Sequence, residues 1–215
     1  MTADPEGFIR AHTIVASPPA CPEIRLWLAT EITPMWQATE ELLQRTGVAP
    51  PYWAFCWAGG QALTRYLLDN PELVAGKRVL DFAAGCGVSA VAAALLGAER
   101  VEAAEIDPMA VAAIAMNAAL NGVAVEAFSR DIVGSPCAWD VVVAGDVCYE
   151  RPMTDHIYPW LKRLAAEGAV VLMADPGRAY LPRHGLLEVA RTTVRTSLEL
   201  EDRTEREVTV YRIVG

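Results

Sequence analysis

The chain has 215 residues and a formal net charge of −9. Because affinity for DNA or RNA rests on Lys and Arg side chains that meet phosphates, this charge argues against unaided binding of nucleic acid. The longest apolar stretches are too short, or too rich in glycine and alanine, to span a bilayer, so we expect no contact with a membrane.

The first third of the chain shows only short patterns. Residues 1–22 contain four prolines and no sustained periodicity, so we expect an arm that lies on or beside the domain. Apolar residues alternate across 24–28, which predicts a strand, and Pro34 predicts the start of a helix that reaches Gln44. Helical spacing returns over 61–69. We treat 23–72 as an accessory segment.

From residue 77 onward, predicted strands and helices alternate, as a parallel sheet requires. The predicted strands cover 78–82, 100–106, 123–128, 140–145 and 169–174, and the predicted helices cover 88–97, 108–121, 153–166 and 185–191. The tail is rich in β-forming residues over 192–200 and 207–214, around a charged turn, which predicts a hairpin. We therefore expect an α/β core over 73–215, with ligands bound beyond the carboxyl ends of its strands.

The segment 79–90 joins an apolar run, an acid and two glycines to an alanine-rich stretch. Gly85 and Gly87 can adopt positive φ angles, so a ligand can approach the backbone, and the following helix points free N–H groups at it. Taken alone, this loop also fits the dinucleotide fingerprint G-x-G-x-x-G/A. Asp81 favours a different ligand, because a carboxylate there would repel a diphosphate but suits the ammonium group of S-adenosylmethionine.

The order D-x-x-x-G-x-G resembles the first motif of class I methyltransferases. This resemblance implies a doubly wound, mostly parallel, seven-stranded sheet with an antiparallel C-terminal hairpin and a small N-terminal α+β addition. It implies S-adenosylmethionine as the cofactor, in contact with a loop that contains Asp81, Ala83, Gly85 and Gly87.

Acidic residues follow the next two predicted strands. The resemblance aligns Glu105 with the acid that binds the ribose hydroxyls, a role that suits a charge-assisted pair of hydrogen bonds. Asp107 precedes Pro108 and is typical of a helix N-cap. After the third strand, the resemblance implies that Asp131 holds the adenine amino group and that Ile132 packs against the ring. An Asp after a strand is also a common turn former.

The fourth strand ends in Gly145-Asp146-Val147-Cys148-Tyr149, which resembles the [DE]-x-x-[YF] motif of seven-strand protein-lysine methyltransferases. We expect Gly145 to line the cofactor site, Asp146 to hold a lysine nitrogen in line with the methyl group, and Tyr149 to form an aromatic wall. A carboxylate with a pKa near about 4 is a poor base for an amine near about 10.4, so we interpret Asp146 as orienting the amine. The alternative is a helix cap.

Two further segments carry the resemblance. Four aromatic residues in 52–57 precede Gly59-Gly60, and this W-x-G-G pattern implies a lid in which Trp57 and Gly59 contact the cofactor. The alternative is simple core packing. After the fifth strand, D-P-G-R-x-Y-L places Asp175, Arg178 and Tyr180 where we expect the rim of a protein-substrate site. The alternative is a plain turn.

Together, these motifs resemble the family of methyltransferases that modify lysines of the electron transfer flavoprotein β subunit, from about residue 23 to the C-terminus. The resemblance implies a protein-lysine N-methyltransferase that uses S-adenosylmethionine, with that β subunit as its partner. Methylation of another protein lysine, such as one on a ribosomal protein, an NAD-dependent oxidoreductase and a non-catalytic cofactor-binding module remain alternatives. Five scattered cysteines and three histidines predict no metal site, and the first ten residues resemble neither a signal nor a transit peptide, so we expect a cytoplasmic protein.

Overall fold

The computed structural model describes residues 4–30 and 50–215, so the helix predicted over 34–44 lies outside the described residues. Within the described part, two short strands near the N-terminus pair with each other, β1 (Ile14–Ala16) and β2 (Leu26–Leu28). The central sheet consists of β3 (Arg78–Phe82), β4 (Arg100–Glu105), β5 (Glu126–Ser129), β6 (Val141–Gly145), β7 (Val170–Asp175), β8 (Leu186–Arg195) and β9 (Glu205–Ile213).

The described helices are α1 (Pro5–His12), α2 (Ala58–Asp69), α3 (Val88–Leu95), α4 (Pro108–Leu120), α5 (Arg151–Ala166) and α6 (Leu198–Glu201). Their starts follow local chemistry: Pro108 takes the first turn of α4, where its missing N–H has no cost, and the side chain of Asp107 accepts a hydrogen bond from the N–H of Met109 at 2.8 Å. None of the described helices is long and apolar enough to cross a bilayer.

The sheet has the order β5-β4-β3-β6-β7-β9-β8. Strand β3 pairs in parallel with both β4 and β6, while β9 runs antiparallel between β7 and β8. The chain therefore moves outward from β3 to one edge and then returns to β6, which leaves a crevice where the carboxyl ends of β3 and β6 meet. This confirms the predicted fold class.

Apolar side chains cover both faces of the sheet. One face packs Leu63 of α2 and Ile114 of α4 against the inner strands, and the other packs Trp160 and Leu164 of α5. Because both faces are closed by helices, the carboxyl edge of the sheet is the place where polar side chains can meet a ligand.

The N-terminal arm contains regular structure that the patterns did not predict. Asp4 accepts a hydrogen bond from the N–H of Gly7 at 2.8 Å and caps α1, and Pro5 occupies its first turn. The buried side chain of Ile9 packs with Ala110 and Ala113 of α4. An Asp-Pro start was readable in the sequence, but the helix is too short to show clear periodicity.

The helix predicted over 185–191 is wrong. Residues 186–191 belong to β8, which pairs with β9 over nearly its whole length, with a register shift between Glu188 and Ala190. The predicted strand over 192–200 is correspondingly wrong beyond Arg195, since Leu198–Glu201 forms α6. The hairpin itself is confirmed. Pairing with β9 decides the conformation here, because strand formation depends on neighbours more than on intrinsic propensity.

Candidate functional site

A cavity of about 650 Å³ opens at the carboxyl edge of the sheet. Of the predicted site residues, those lining it are Trp57, Ala83, Gly85, Glu105, Asp131, Gly145, Asp146, Tyr149 and Arg178. The predicted residues that are not part of its lining are Gly59, Asp81, Gly87, Ile132, Asp175 and Tyr180. Two of these residues are hydrogen-bonded to lining residues, since Gly59 donates to Asp146 and Asp175 accepts from the N–H of Arg178.

The glycine loop is hydrogen-bonded to Glu105, the last residue of β4. Gly85 and Gly87 have φ angles of 55° and 73°, in the left-handed region that favours glycine. The N–H of Gly85 donates to Oε1 of Glu105 at 2.7 Å, and the N–H of Ile106 donates to Oε2 at 3.0 Å. Burial raises the pKa of Glu105, although these two hydrogen bonds act in the opposite direction. Its carboxylate therefore fixes the loop and lines the cavity at the same time.

Asp81 sits deeper than the cavity wall. Its side chain is 3% exposed and accepts a hydrogen bond from the N–H of Ala90, in the first turn of α3, at 2.9 Å. Burial raises the pKa of Asp81 well above its usual value. The structure thus places this carboxylate against the start of the helix that follows the glycine loop.

Asp131 lies at the exposed end of the cavity, paired with a residue that the patterns missed. Its carboxylate accepts a hydrogen bond from the N–H of Val133 at 2.9 Å and lies 3.1 Å from Nε2 of His156. Both contacts lower the pKa of Asp131, and the hydrogen bond from Val133 has the larger effect. Ile132 is buried in the core of the sheet face that carries α5.

Asp146 occupies the turn after β6 in an uncommon backbone conformation, with φ of 57°. Its N–H donates to the carbonyl of Ala174 at 3.0 Å, and one of its carboxylate oxygens, Oδ2, accepts a hydrogen bond from the N–H of Gly59. Burial raises the pKa of Asp146 to about 6, although Arg178 acts in the opposite direction. The side chain is 10% exposed and lines the cavity.

Arg178 bridges two carboxylates below the cavity mouth. Its Nε and Nη2 lie 3.0 and 2.7 Å from Oδ1 of Asp146, and Nη2 also lies 2.9 Å from Oε1 of Glu201. Burial opposes the guanidinium charge, but the facing carboxylates raise the pKa of Arg178. No pattern pointed to Glu201, because it lies 23 residues from Arg178 in a charged turn that resembles a solvent-exposed loop.

The predicted rim residues separate in the structure. Asp175 is 1% exposed, so its placement at the rim is wrong; its Oδ1 accepts hydrogen bonds from the N–H groups of Gly177 and Arg178 at 2.7 and 2.6 Å. It therefore shapes the loop that carries Arg178. Tyr180 is 38% exposed and lies 5.5 Å from the guanidinium of Arg151, so it is the member of the set at the surface.

Aromatic rings form one wall of the cavity. Trp57 donates from its indole Nε1 to the carbonyl of Tyr52 at 3.0 Å, and the ring centroids of these residues lie 5.9 Å apart. The ring of Tyr52 lies 5.6 Å from that of Tyr149. Burial raises the pKa of Tyr149 to about 12, so its hydroxyl stays protonated at neutral pH. Tyr52 belongs to the aromatic run 52–57, which was the available signal for its role.

Comparisons with known proteins show which family the chain belongs to. Residues 61–174 match the family model described as Ribosomal protein L11 methyltransferase (PrmA). The electron transfer flavoprotein beta subunit lysine methyltransferase of Xenopus laevis is 40% identical over 206 residues, which cover 94% of this chain and 82% of that protein. The chain belongs to the electron transfer flavoprotein β-subunit lysine methyltransferase family. The human member is 38% identical over 208 residues, which cover 94% of this chain and 78% of the human protein.

Membership of this lysine methyltransferase family confirms the resemblance and decides between the alternatives. The match to the L11 methyltransferase model ends at residue 174, before β8 and β9, whereas the family likeness extends over 94% of the chain. The ribosomal-protein, oxidoreductase and non-catalytic alternatives are therefore not favoured.

A solved structure shows the same fold. The magnesium protoporphyrin IX methyltransferase from Synechocystis PCC 6803, with bound S-adenosylmethionine, aligns with a TM-score of 0.52 at 18% identity and covers 71% of this chain and 76% of that chain. Among residues 4–30 and 50–215 of this chain, no group of three or more His, Cys, Asp or Glu side chains is arranged to hold a metal ion.

Proposed function

We propose that this protein is an S-adenosylmethionine-dependent protein-lysine N-methyltransferase that acts on the β subunit of electron transfer flavoprotein. The observation that carries the proposal is the buried carboxylate of Asp146, held at the carboxyl end of β6 in the wall of a cavity flanked by Tyr149 and Trp57. Family membership supplies the substrate class.

The residues present fit the methyl donor, which supplies an electrophilic methyl group on a sulfonium. A Cβ built on Gly85 would meet no atom within 4 Å, so the space beside Gly85 is open to a ligand, whereas a Cβ built on Gly87 would lie 2.9 Å from the side chain of Ile114. Glu105 presents a carboxylate to ribose hydroxyls, and Asp131 presents one to an amino group at the exposed end of the cavity. These residues would hold the nucleoside of the methyl donor.

Asp146 is arranged to orient an amine. A carboxylate oxygen has two lone pairs, and Oδ1 already accepts two bonds from Arg178 whereas Oδ2 accepts one from Gly59. One acceptor position on Oδ2 therefore remains for an N–H of the substrate. A hydrogen bond there turns the nitrogen lone pair toward the reacting carbon, which is an entropic contribution to the rate.

Asp146 does not act as a strong base. Its pKa of about 6 lies far below that of a lysine amine, which is about 10.4, so the amine must lose its proton to water before transfer. The rings of Tyr52, Trp57 and Tyr149 exclude water and attract a cationic side chain as it arrives. The lysine side chain therefore enters this pocket as an ammonium and reacts there as a neutral amine.

Substrate choice is tested by offering purified enzyme several acceptors side by side with radiolabelled S-adenosylmethionine. Flavoprotein β subunit, ribosomal proteins, RNA and free lysine are compared at equal acceptor concentration. We expect label on lysine of the β subunit well above every other acceptor, and slower transfer at higher salt because the net charge of −9 contributes to association. Label in RNA or a small molecule, with none on protein lysine, would refute the proposal.

A further inference from the structure

Glu201 is a buried acid with no assigned role. It ends α6, within the connection between β8 and β9, and its side chain is completely buried. One carboxylate oxygen lies 2.9 Å from Nη2 of Arg178, and the other lies 3.3 Å from Nε of Arg206. Arg206 also donates to the backbone carbonyl of Glu201 at 2.9 Å. Arg206 thus holds the backbone of Glu201 by a hydrogen bond and faces its carboxylate as an ion pair without hydrogen-bond geometry, while the carboxylate binds Arg178.

The short helix that carries Glu201 is anchored beside the aromatic lid. The side chain of Ser197 accepts a hydrogen bond from the N–H of Leu200 at 3.2 Å, which caps the helix. Leu200 packs in the same apolar cluster as Phe55 and Trp57. The C-terminal hairpin therefore contributes to the site, although its strands lie at the far edge of the sheet.

Electrostatics alone does not explain a second acid at this position. The negative charge of Glu201 opposes ionisation of Asp146, whereas Arg178 favours it. Glu201 instead fixes the orientation of Arg178. A guanidinium with one partner can rotate about its long side chain, whereas a planar guanidinium bound by two carboxylates has one orientation. In that orientation Arg178 donates two hydrogen bonds to Oδ1 of Asp146, and Oδ2 accepts one from the N–H of Gly59.

We propose that Glu201 is a positioning residue for methyl transfer, which fixes Arg178 on Oδ1 of Asp146 so that Oδ2 stays available to the substrate amine. This inference rests on the proposed function, since it assumes that Asp146 receives the amine. It predicts that the reach of the side chain at position 201 matters more than its charge.

Two conservative variants separate reach from charge. Glu201→Gln keeps an acceptor oxygen at the same distance and loses the charge, whereas Glu201→Asp keeps the charge and withdraws the acceptor by one methylene. We expect kcat to stay within about threefold for Glu201→Gln and to fall about tenfold or more for Glu201→Asp. The KM for S-adenosylmethionine should change little in both, because Glu201 lies outside the cavity lining.

Controls distinguish positioning from general stability. Glu207→Ala breaks the exposed ion pair with Arg191 in the same hairpin and should leave kcat unchanged. In an Arg178→Ala background, Glu201→Asp should have no further effect on kcat, because the residue through which it acts is gone. Independent losses in the double variant, or a faster Glu201→Asp than Glu201→Gln enzyme, would overturn the proposal.

A readout without turnover keeps this inference separate from the proposed function. In ¹⁵N-labelled protein, the Nε–H resonance of Arg178, assigned by its loss in Arg178→Lys, should persist in Glu201→Gln and broaden or shift in Glu201→Asp. An unchanged resonance in Glu201→Asp counts against positioning even if lysine methylation is seen. Failure of the unmodified enzyme to methylate any protein lysine counts against the proposed function alone.

Discussion

The backbone N–H of Gly59 donates a hydrogen bond to the carboxylate of Asp146, a residue 87 positions further along the chain. This bond fixes the first turn of α2 against the end of β6, at the crevice of the sheet. A Cβ built on Gly59 would lie 2.5 Å from Oδ2 of Asp146 and 2.8 Å from the carbonyl oxygen of Ala174. The orientation of the proposed amine-binding carboxylate therefore depends on the absence of a side chain at position 59.

The first prediction compares two adjacent glycines of α2. Gly59→Ala should destabilise the fold by about 1–3 kcal/mol through overpacking, and should lower methyl transfer by about a hundredfold by displacing Asp146. Gly60→Ala is the matched control, because its Cβ would meet Val88 at an ordinary 3.5 Å. Thermal unfolding and initial rates measure both effects. Equal behaviour of the two variants would contradict the role given to Gly59.

The second prediction concerns the carboxylate itself. Asp146→Asn keeps the shape and one acceptor oxygen but removes the charge that pairs with Arg178, so the amine and the guanidinium both lose their alignment. We expect methyl transfer to fall by roughly a hundredfold or more, with cofactor affinity changed little. Single-turnover rates and calorimetric titration of S-adenosylmethionine test this. A folded Asp146→Asn enzyme with the normal rate would remove Asp146 from the mechanism.

The third prediction is a pH dependence. Burial raises the pKa of Asp146 to about 6, opposed by Arg178 and assisted by the nearby charge of Glu201, so the carboxyl gains a proton as the pH falls through that value. Only the ionised form pairs with Arg178 and orients an amine, and therefore activity is lost on the acid side. The positive charge of a bound sulfonium favours ionisation, so the loss occurs at or below about pH 6.

The pH effect has a distinct kinetic signature. Deprotonation of the lysine amine, with a pKa of about 10.4, makes log kcat/KM rise with a slope of one across neutral pH. Below about pH 6 the slope should approach two in the unmodified enzyme, since two groups must then lose protons. It should remain one in Asp146→Asn. A slope of one throughout in the unmodified enzyme would show that Asp146 does not titrate there.

The fourth prediction concerns the cofactor site. S-adenosylmethionine should raise the melting temperature, since a ligand that binds only the folded state stabilises by about 2.7 kcal/mol at a hundredfold excess over Kd. NAD should not. Glu105→Ala should abolish the shift, because it removes both the ribose carboxylate and the partner of the N–H of Gly85. Glu126→Ala, on the exposed pair with Arg100, should retain it. A rise in melting temperature with NAD and none with S-adenosylmethionine would refute the assignment of this site to S-adenosylmethionine.

Much of the site could be predicted because it lies where strands end. Apolar runs identified β3, β4 and β6, and Glu105 is the last residue of β4 while Asp146 directly follows β6. Since the carboxyl ends of parallel strands meet at one edge of a sheet, residues far apart in sequence were expected together, and the structure places both in the cavity lining. Positive φ at Gly85 was likewise predictable from residue type.

Contacts between elements were beyond such patterns. The pairing of Asp131 with His156, the packing of the tilted rings of Tyr52 and Tyr149 and the burial of Asp175 depend on how loops pack over the sheet. The start of β8 was predicted as a helix. That prediction failed because pairing with β9 outweighs the local conformational preference.

The sequence by itself determined the alternation of strands and helices from β3 to β7, the glycine loop and the acids at strand ends, because these follow from local periodicity and residue chemistry. Only the tertiary structure decided how the charges are neutralised. Arg178 could face solvent or bind a substrate, but folding brings it between Asp146 and Glu201, where a buried charge must find partners. Such pairing depends on distances across the folded chain, and local sequence patterns carry no information about them.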